Sequence, residues 1–196
     1  MIKMRTNVCY QKIMTIVHGK SEFAICSNIK SNLRLPQEII ANNKGRSSIQ
    51  ITGLMNVLND NRFKNIRAFK NEYSRVEAKK NELVNFQLFI IMDTDDCTDS
   101  QRTSFIDKSM FKSHWLYPYI VPIYNSPNLE QTMKEANIPI VKKSEYIQIF
   151  PTNHGDLDLN KAKEFLESLR RCKNSNMSVY VERCIQLSEE NILRRK

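Results

Sequence analysis

Phe86-Gln87-Leu88-Phe89-Ile90-Ile91-Met92 runs without a break into Asp93-Thr94-Asp95-Asp96. The first seven residues are the most apolar stretch of the chain. Their length and their β-branched and aromatic content are those of a central strand. A parallel α/β sheet gathers its ligands at the carboxyl ends of its strands, which is where these three aspartates fall. Carboxylates at i and i+2 just past a strand can point to one side, so Asp93 and Asp95 are expected to share an ion, with Asp96 facing elsewhere or in support. The competing reading is a solvated acidic turn, because Asp favours turns.

Upstream, Lys12-Ile13-Met14-Thr15-Ile16-Val17 reads as a buried strand that ends in the turn His18-Gly19-Lys20-Ser21. From about Glu22, Phe23, Cys26, Ile29 and Leu33 recur at helical spacing, and Pro36 stops the run. Glu38-Ile39-Ile40-Ala41 is a short second strand, followed by the loop Asn42-Asn43-Lys44-Gly45-Arg46. Ser47 or Ser48 is placed to cap a helix with Ile51, Leu54, Met55 and Leu58 on its apolar face. The charged stretch 59–82 keeps Ile66, Phe69, Tyr73 and Val76 at helical spacing and reads as a surface helix.

Downstream, a polar and mobile segment is expected as far as Lys112. Tyr119-Ile120-Val121-Pro122-Ile123-Tyr124 is a strand toward an edge, because Pro122 cannot donate to a ladder. Pro127 suits the first turn of a helix bearing Leu129, Met133 and Ala136. Tyr146-Ile147-Gln148-Ile149-Phe150 alternates like another strand. Beyond Pro151 two helices are expected, the first capped by Asp158 or Asn160. Alternating strands and helices predict an α/β fold: a Rossmann-like, mostly parallel sheet flanked by helices over residues 1–150, with a C-terminal helical extension, 151–196, packed on it.

Composition narrows the function. The 196 residues are 41% hydrophobic, enough for one sizeable core and too apolar for a disordered chain. Thirty Lys and Arg against 21 Asp and Glu give a net charge of +9, which favours an anionic partner such as nucleic acid. No run of about 18 apolar residues is present to span a membrane, and Met1 to Tyr10 lacks the apolar segment of a signal peptide. Five cysteines without Cys-x-x-Cys spacing read as reduced thiols of a cytoplasmic protein. His18, His114 and His154 lie at no ligand spacing from a cysteine, which argues against structural zinc.

Three polar clusters fall at strand ends: His18 to Glu22, Asp93 to Asp96, and Asn125 to Glu130. Converging carboxylates repel one another unless a cation sits among them, and an oxygen-rich set without thiolates suits Mg²⁺ or Mn²⁺. Gly19-Lys20-Ser21 is not a P-loop, because the first glycine of that motif would fall at Met14. Lys20 at a helix start and Lys44 and Arg46 in the second loop are candidates for gripping phosphates. Arg170 and Arg171, with Lys173 and the terminal Arg194-Arg195-Lys196, are either a further basic footprint or a solvated helix end.

Strand, His18-Gly19-Lys20-Ser21-Glu22, helix, glycine-containing loop and helix, then an apolar strand ending Asp93-Thr94-Asp95, resembles the Toprim domain. That is the metal-dependent catalytic fold of topoisomerases, bacterial primases and several anti-phage nucleases. Pro127-Asn128-Leu129-Glu130 is similar to the acidic motif after the fourth strand in Toprim-like defence nucleases. The likeness covers Ile13 to Ala136. It implies a divalent-metal-dependent nuclease in anti-phage defence or nucleic-acid processing. Asp93, Asp95 and Glu130 would hold Mg²⁺ or Mn²⁺, Glu22 would orient a ligand or water, and nucleic acid would be the partner; a partner protein such as an ATPase is compatible with it. One departure stands out: the family has a glutamate where this chain has His18. An imidazole there serves as base or softer-metal ligand, or else is a hydrogen-bonded residue of a degenerate site that only binds nucleic acid or a partner.

Overall fold

A computed structural model of the chain describes residues 10–139 and 158–194. Its centre is a four-stranded sheet of β1 (Ile13–Val17), β2 (Gln37–Ile40), β5 (Gln87–Asp93) and β6 (Ile120–Asn125), in the order β2-β1-β5-β6. Every pairing in it is parallel, with Thr15 level with Ile39 and Phe89, and Asp93 level with Asn125. β1 and β5 take the inner positions because their unbroken apolar runs can be buried on both faces. β6 takes the outer position that Pro122 requires. The expectation of an α/β fold with a parallel, Rossmann-like sheet and C-terminal helices holds.

Side-chain alternation along the strands divides the interior in two. Ile13, Val17, Phe89, Ile91 and Ile123 face a core completed by α1 (Lys20–Asn32), α5 (Leu129–Glu135), α6 (Leu159–Arg170) and α7 (Met177–Leu193). Met14, Ile16, Leu88, Ile90 and Met92 face a second core, built with α2 (Leu54–Leu58), α3 (Ile66–Glu72) and α4 (Asp99–Ile106). Tyr180 of α7 is fully buried and stands edge-on to Phe89 with ring centroids 5.3 Å apart. Asp158 caps α6, as expected, by accepting from the backbone N–H groups of Asn160 and Lys161.

Several local expectations give way. Residues 59–82 are not one surface helix. α3 ends at Glu72 and gives way to a small antiparallel hairpin, β3 (Ala78–Lys79) and β4 (Glu82–Leu83), whose turn residues Lys80 and Asn81 have φ of 48° and 64°. Left-handed φ at both turn positions matches the twist of a two-residue hairpin and closes it. Phe69 is fully buried, against Phe63, Tyr73, Phe86 and Trp115, so this region belongs to the core. The segment expected to be mobile folds as α4. Thr98 and Gln101 form a reciprocal capping box at its start, and Phe105 and Phe111 anchor it.

Neither Ser47 nor Ser48 caps a helix; a 3₁₀ turn, Ile51–Gly53, leads into α2. Helix α1 starts at Lys20, earlier than expected, because the Glu22 carboxylate caps the free N–H of Gly19. Pro127 precedes α5 instead of opening it, and Asn128 is the cap. The strand expected at Tyr146 to Phe150 lies outside the described residues.

If the stretch 59–82 is core, Phe69→Ala removes the hub of an aromatic cluster. It should destabilise the protein by about 3–5 kcal/mol in a urea titration, the cost of emptying a buried ring site. A loss under about 1 kcal/mol would return the segment to the surface.

Candidate functional site

The carboxyl ends of β1, β5 and β6 bring the three polar clusters together. His18 follows β1; its N–H donates to Ile91 O at 2.9 Å, and its carbonyl accepts from Ile49 N at 2.7 Å. The backbone at His18 is thus clamped between β5 and the 46–50 loop. Gly19 caps α1 in an extended conformation and donates at 2.9 Å to Glu22 Oε2. Glu22 is only 2% exposed, and its other oxygen, Oε1, finds no hydrogen-bond partner among the described residues; neither does His18 Nδ1. An unpaired buried carboxylate oxygen is costly.

Asp93 closes β5 and is 7% exposed. Its Oδ1 accepts from Leu129 N at 3.0 Å and from Asn125 Nδ2 at 3.4 Å. The start of α5 therefore docks on the end of β5. Asn128 Nδ2 donates to the exposed Asp95 at 3.3 Å, so both aspartates of the Asp93-Thr94-Asp95 step meet the same turn. On the opposite side, Ser21 Oγ donates to Glu130 Oε1 at 3.1 Å, which ties the first turn of α1 to the first turn of α5. Asp93, Glu22 and Glu130 thus belong to one neighbourhood, with Asp95 at its rim.

Electrostatics follow from that crowding. Burial first, then the charges of Glu22, Glu130 and Asp95, push the Asp93 carboxyl up to about 8. Burial likewise raises Glu22, with Glu130 adding to it and His18 opposing it. Without a cation, Asp93 is therefore mostly a neutral acid near pH 7.

Could a divalent cation fit? The chemistry of the donors suits one: carboxylate oxygens, a buried oxygen and an imidazole nitrogen without partners, and no thiolate. Among the described residues, however, no three His, Cys, Asp or Glu side chains stand ready-made as a metal cage.

The basic candidates separate into two groups. Gly45 has φ of +82°, and a Cβ there would stand 2.9 Å from Gly19 O and Lys20 Cα. The 42–45 turn therefore lies directly against the start of α1, and only glycine permits both that φ and that approach. Lys20, Lys44 and Arg46 are all exposed around this junction and have no ion-pair partner among the described residues. Arg170, by contrast, is paired with Glu167 and, at 2.7 Å, with Glu182, so it is not a free phosphate grip. Arg171 is exposed at the C-cap of α6. His154 lies outside the described residues. His114 is structural: its Nε2 lies 3.0 Å from Leu58 O.

Behind the carboxylates stand buried polar residues to which the sequence assigns no role of their own. Asn125 is fully buried, Thr132 and Ser175 nearly so, and Ser21 bridges to Glu130. Asn125 and Ser21 fall within the strand-end clusters, whereas nothing in the sequence connects Thr132 or Ser175 to them.

Two outcomes check this geometry. Asp93 is held protonated in the folded state and is ionised in the unfolded one between its ordinary 3.8 and about 8. Wild-type stability should accordingly fall relative to Asp93→Asn as pH rises through that window, by at most about 1.4 kcal/mol per pH unit, and level off above it. Urea midpoints measured in chelator across that range test this, and parallel curves would refute it. Gly45→Ala should cost roughly 1–3 kcal/mol through strain and collision with the α1 start; a neutral effect on the melting temperature would mean the loop is not so placed. Comparison with known proteins found no matching family model, no matching curated protein and no matching solved structure.

Proposed function

We propose that the chain is a Toprim-like, divalent-metal-dependent nuclease that cleaves phosphodiesters of nucleic acid. One observation carries the reading: buried carboxylates of Glu22 and Asp93, with Glu130, crowd together at the ends of parallel strands, on a chain of net charge +9 with free cations beside them. Such crowding is destabilising unless something positive resides there. Asp93, Asp95 and Glu130 would hold Mg²⁺ or Mn²⁺, which supplies charge neutralisation at the scissile phosphate and acidifies a water.

The chain's own groups do the rest. Lys20, Lys44 and Arg46 bind flanking phosphates, and their exposure leaves them free to do so. Glu22, desolvated and hydrogen-bonded to Gly19 N, orients a neighbouring ligand or water. His18 accepts a proton at the unpartnered Nδ1. A role in anti-phage defence, with or without an ATPase partner, is part of the same reading and rests on the family likeness.

A second reading draws on His18, which replaces the family's glutamate, and on the absence of a ready-made cage among the described residues. In it the fold binds nucleic acid or a protein partner without chemistry.

The deciding assay incubates the protein with single- and double-stranded DNA and RNA in Mg²⁺ or Mn²⁺, with chelator as control. Cleavage that falls at least about 100-fold in Asp93→Asn is expected, because the change removes a ligand of the ion that would stabilise developing charge. Cleavage that survives this change would defeat the assignment. Salt-sensitive binding with no turnover, independent of metal, would select the second reading.

A further inference from the structure

Behind Asp93 lies a chain of hydrogen bonds that reaches the C-terminal helices. Asn125, the last residue of β6 and fully buried, presents Nδ2 to Asp93 Oδ1 at 3.4 Å. Its Oδ1 accepts from Ser175 Oγ at 2.9 Å; Thr132 Oγ1 stands 3.3 Å away, its one hydrogen divided between that oxygen and Asn128 O at 3.2 Å. Ser175 Oγ also accepts from Met177 N at 3.0 Å. A serine hydroxyl has one hydrogen and two lone pairs; here Met177 N takes one lone pair and the hydrogen points at Asn125 Oδ1. In this arrangement the amide oxygen of Asn125 faces Ser175 and its nitrogen faces Asp93.

Ser175 is itself fixed by backbone. It forms a β-bridge with Asn125, Ser126 N donates to Asn174 O at 2.8 Å, and Asn176 donates to Pro122 O and accepts from Tyr124 N through its side chain. The turn between α6 and α7 thus lies along the open edge of β6. On Asp93, both hydrogen bonds fall on Oδ1, and Oδ2 accepts none among the described residues.

We infer that Asn125 and Ser175 are positioning residues: Ser175 sets the orientation of the Asn125 amide, which, with Leu129 N, pins Asp93 Oδ1 so that Oδ2 is the oxygen offered to a cation. The site is then incomplete without the α6–α7 turn. The cation part of this inference rests on the metal-dependent reading above; the positioning part does not.

The test compares full-length wild type with Ser175→Ala and Ser175→Thr. Ser175→Ala removes the donor that holds the Asn125 oxygen, so the amide can turn and its hold on Asp93 Oδ1 loosens. The Leu129 amide, which belongs to a different element and bonds to Asp93, should then shift in an ¹⁵N–¹H spectrum and exchange its hydrogen about 10-fold faster. Mn²⁺ affinity, read by electron paramagnetic resonance, should weaken about 10- to 100-fold, as is usual when a partner behind a metal ligand is lost. Ser175→Thr, which keeps the hydroxyl, should restore both. If Ser175→Ala lowers the melting temperature but leaves the Leu129 amide unchanged, Ser175 only caps α7 and the inference falls. If wild type binds no Mn²⁺ while the Leu129 amide responds as expected, the metal reading falls and the positioning stands. Should Ser175→Ala not fold, Ser175→Cys, a weaker donor of similar size, should give a smaller change in the same direction; an unchanged Leu129 amide there overturns the inference.

Discussion

A carboxyl group at the end of a strand buried on both faces cannot easily be charged. Asp93 is placed there because Gln87 to Met92 runs through the middle of the molecule and delivers the next residue into a space already walled by α1 and α5. Two more acidic side chains, Glu22 and Glu130, approach from those helices, and each makes ionisation of the others harder. The cluster must hold protons or hold a cation. That single constraint ties the fold to the chemistry proposed for it: the sheet order, the close approach of Gly45 to Gly19 and the docking of α5 all act to keep the neighbourhood crowded and dry.

How far the amino-acid sequence reveals this depends on the kind of signal. Unbroken apolar runs made β1 and β5 legible, and Pro122 correctly sent β6 to the outside. The parallel α/β class and the meeting of three strand-end clusters follow from those elements. The misreadings arose where apolar spacing was mistaken for exposure or where turn chemistry was overlooked. Phe69 keeps helical spacing in a charged stretch, but its ring is core. Lys80-Asn81 closes a hairpin that helical periodicity hid, and Thr98 with Gln101 nucleates a helix where polarity suggested mobility. Asn125 falls within a strand-end cluster, but its link to Ser175 is not visible in the sequence, because that buried contact joins residues 50 positions apart.

The basic residues show the same limit. Lys20, Lys44 and Arg46 come from two separate loops, and the left-handed turn at Gly45 joins them at one junction. Arg170 looks identical on paper, yet acidic neighbours on α6 and α7 claim its guanidinium. Net charge identifies a class of partner, whereas the pairing of each cation decides which surface meets it.

The far end of the chain finishes what the near end begins. Lys12 pairs with Glu190 across 178 positions, Tyr180 reaches Gln37, and Ser188 donates to the Leu33 carbonyl. The first strand therefore cannot acquire its full covering on that face until α7 has left the ribosome. During synthesis at roughly 5–20 residues per second, a nascent chain would carry that apolar surface for many seconds. Contacts between such distant residues also slow the search for the native arrangement. The acidic neighbourhood therefore takes its final shape only once the α6–α7 turn and α7 have docked on strands made much earlier.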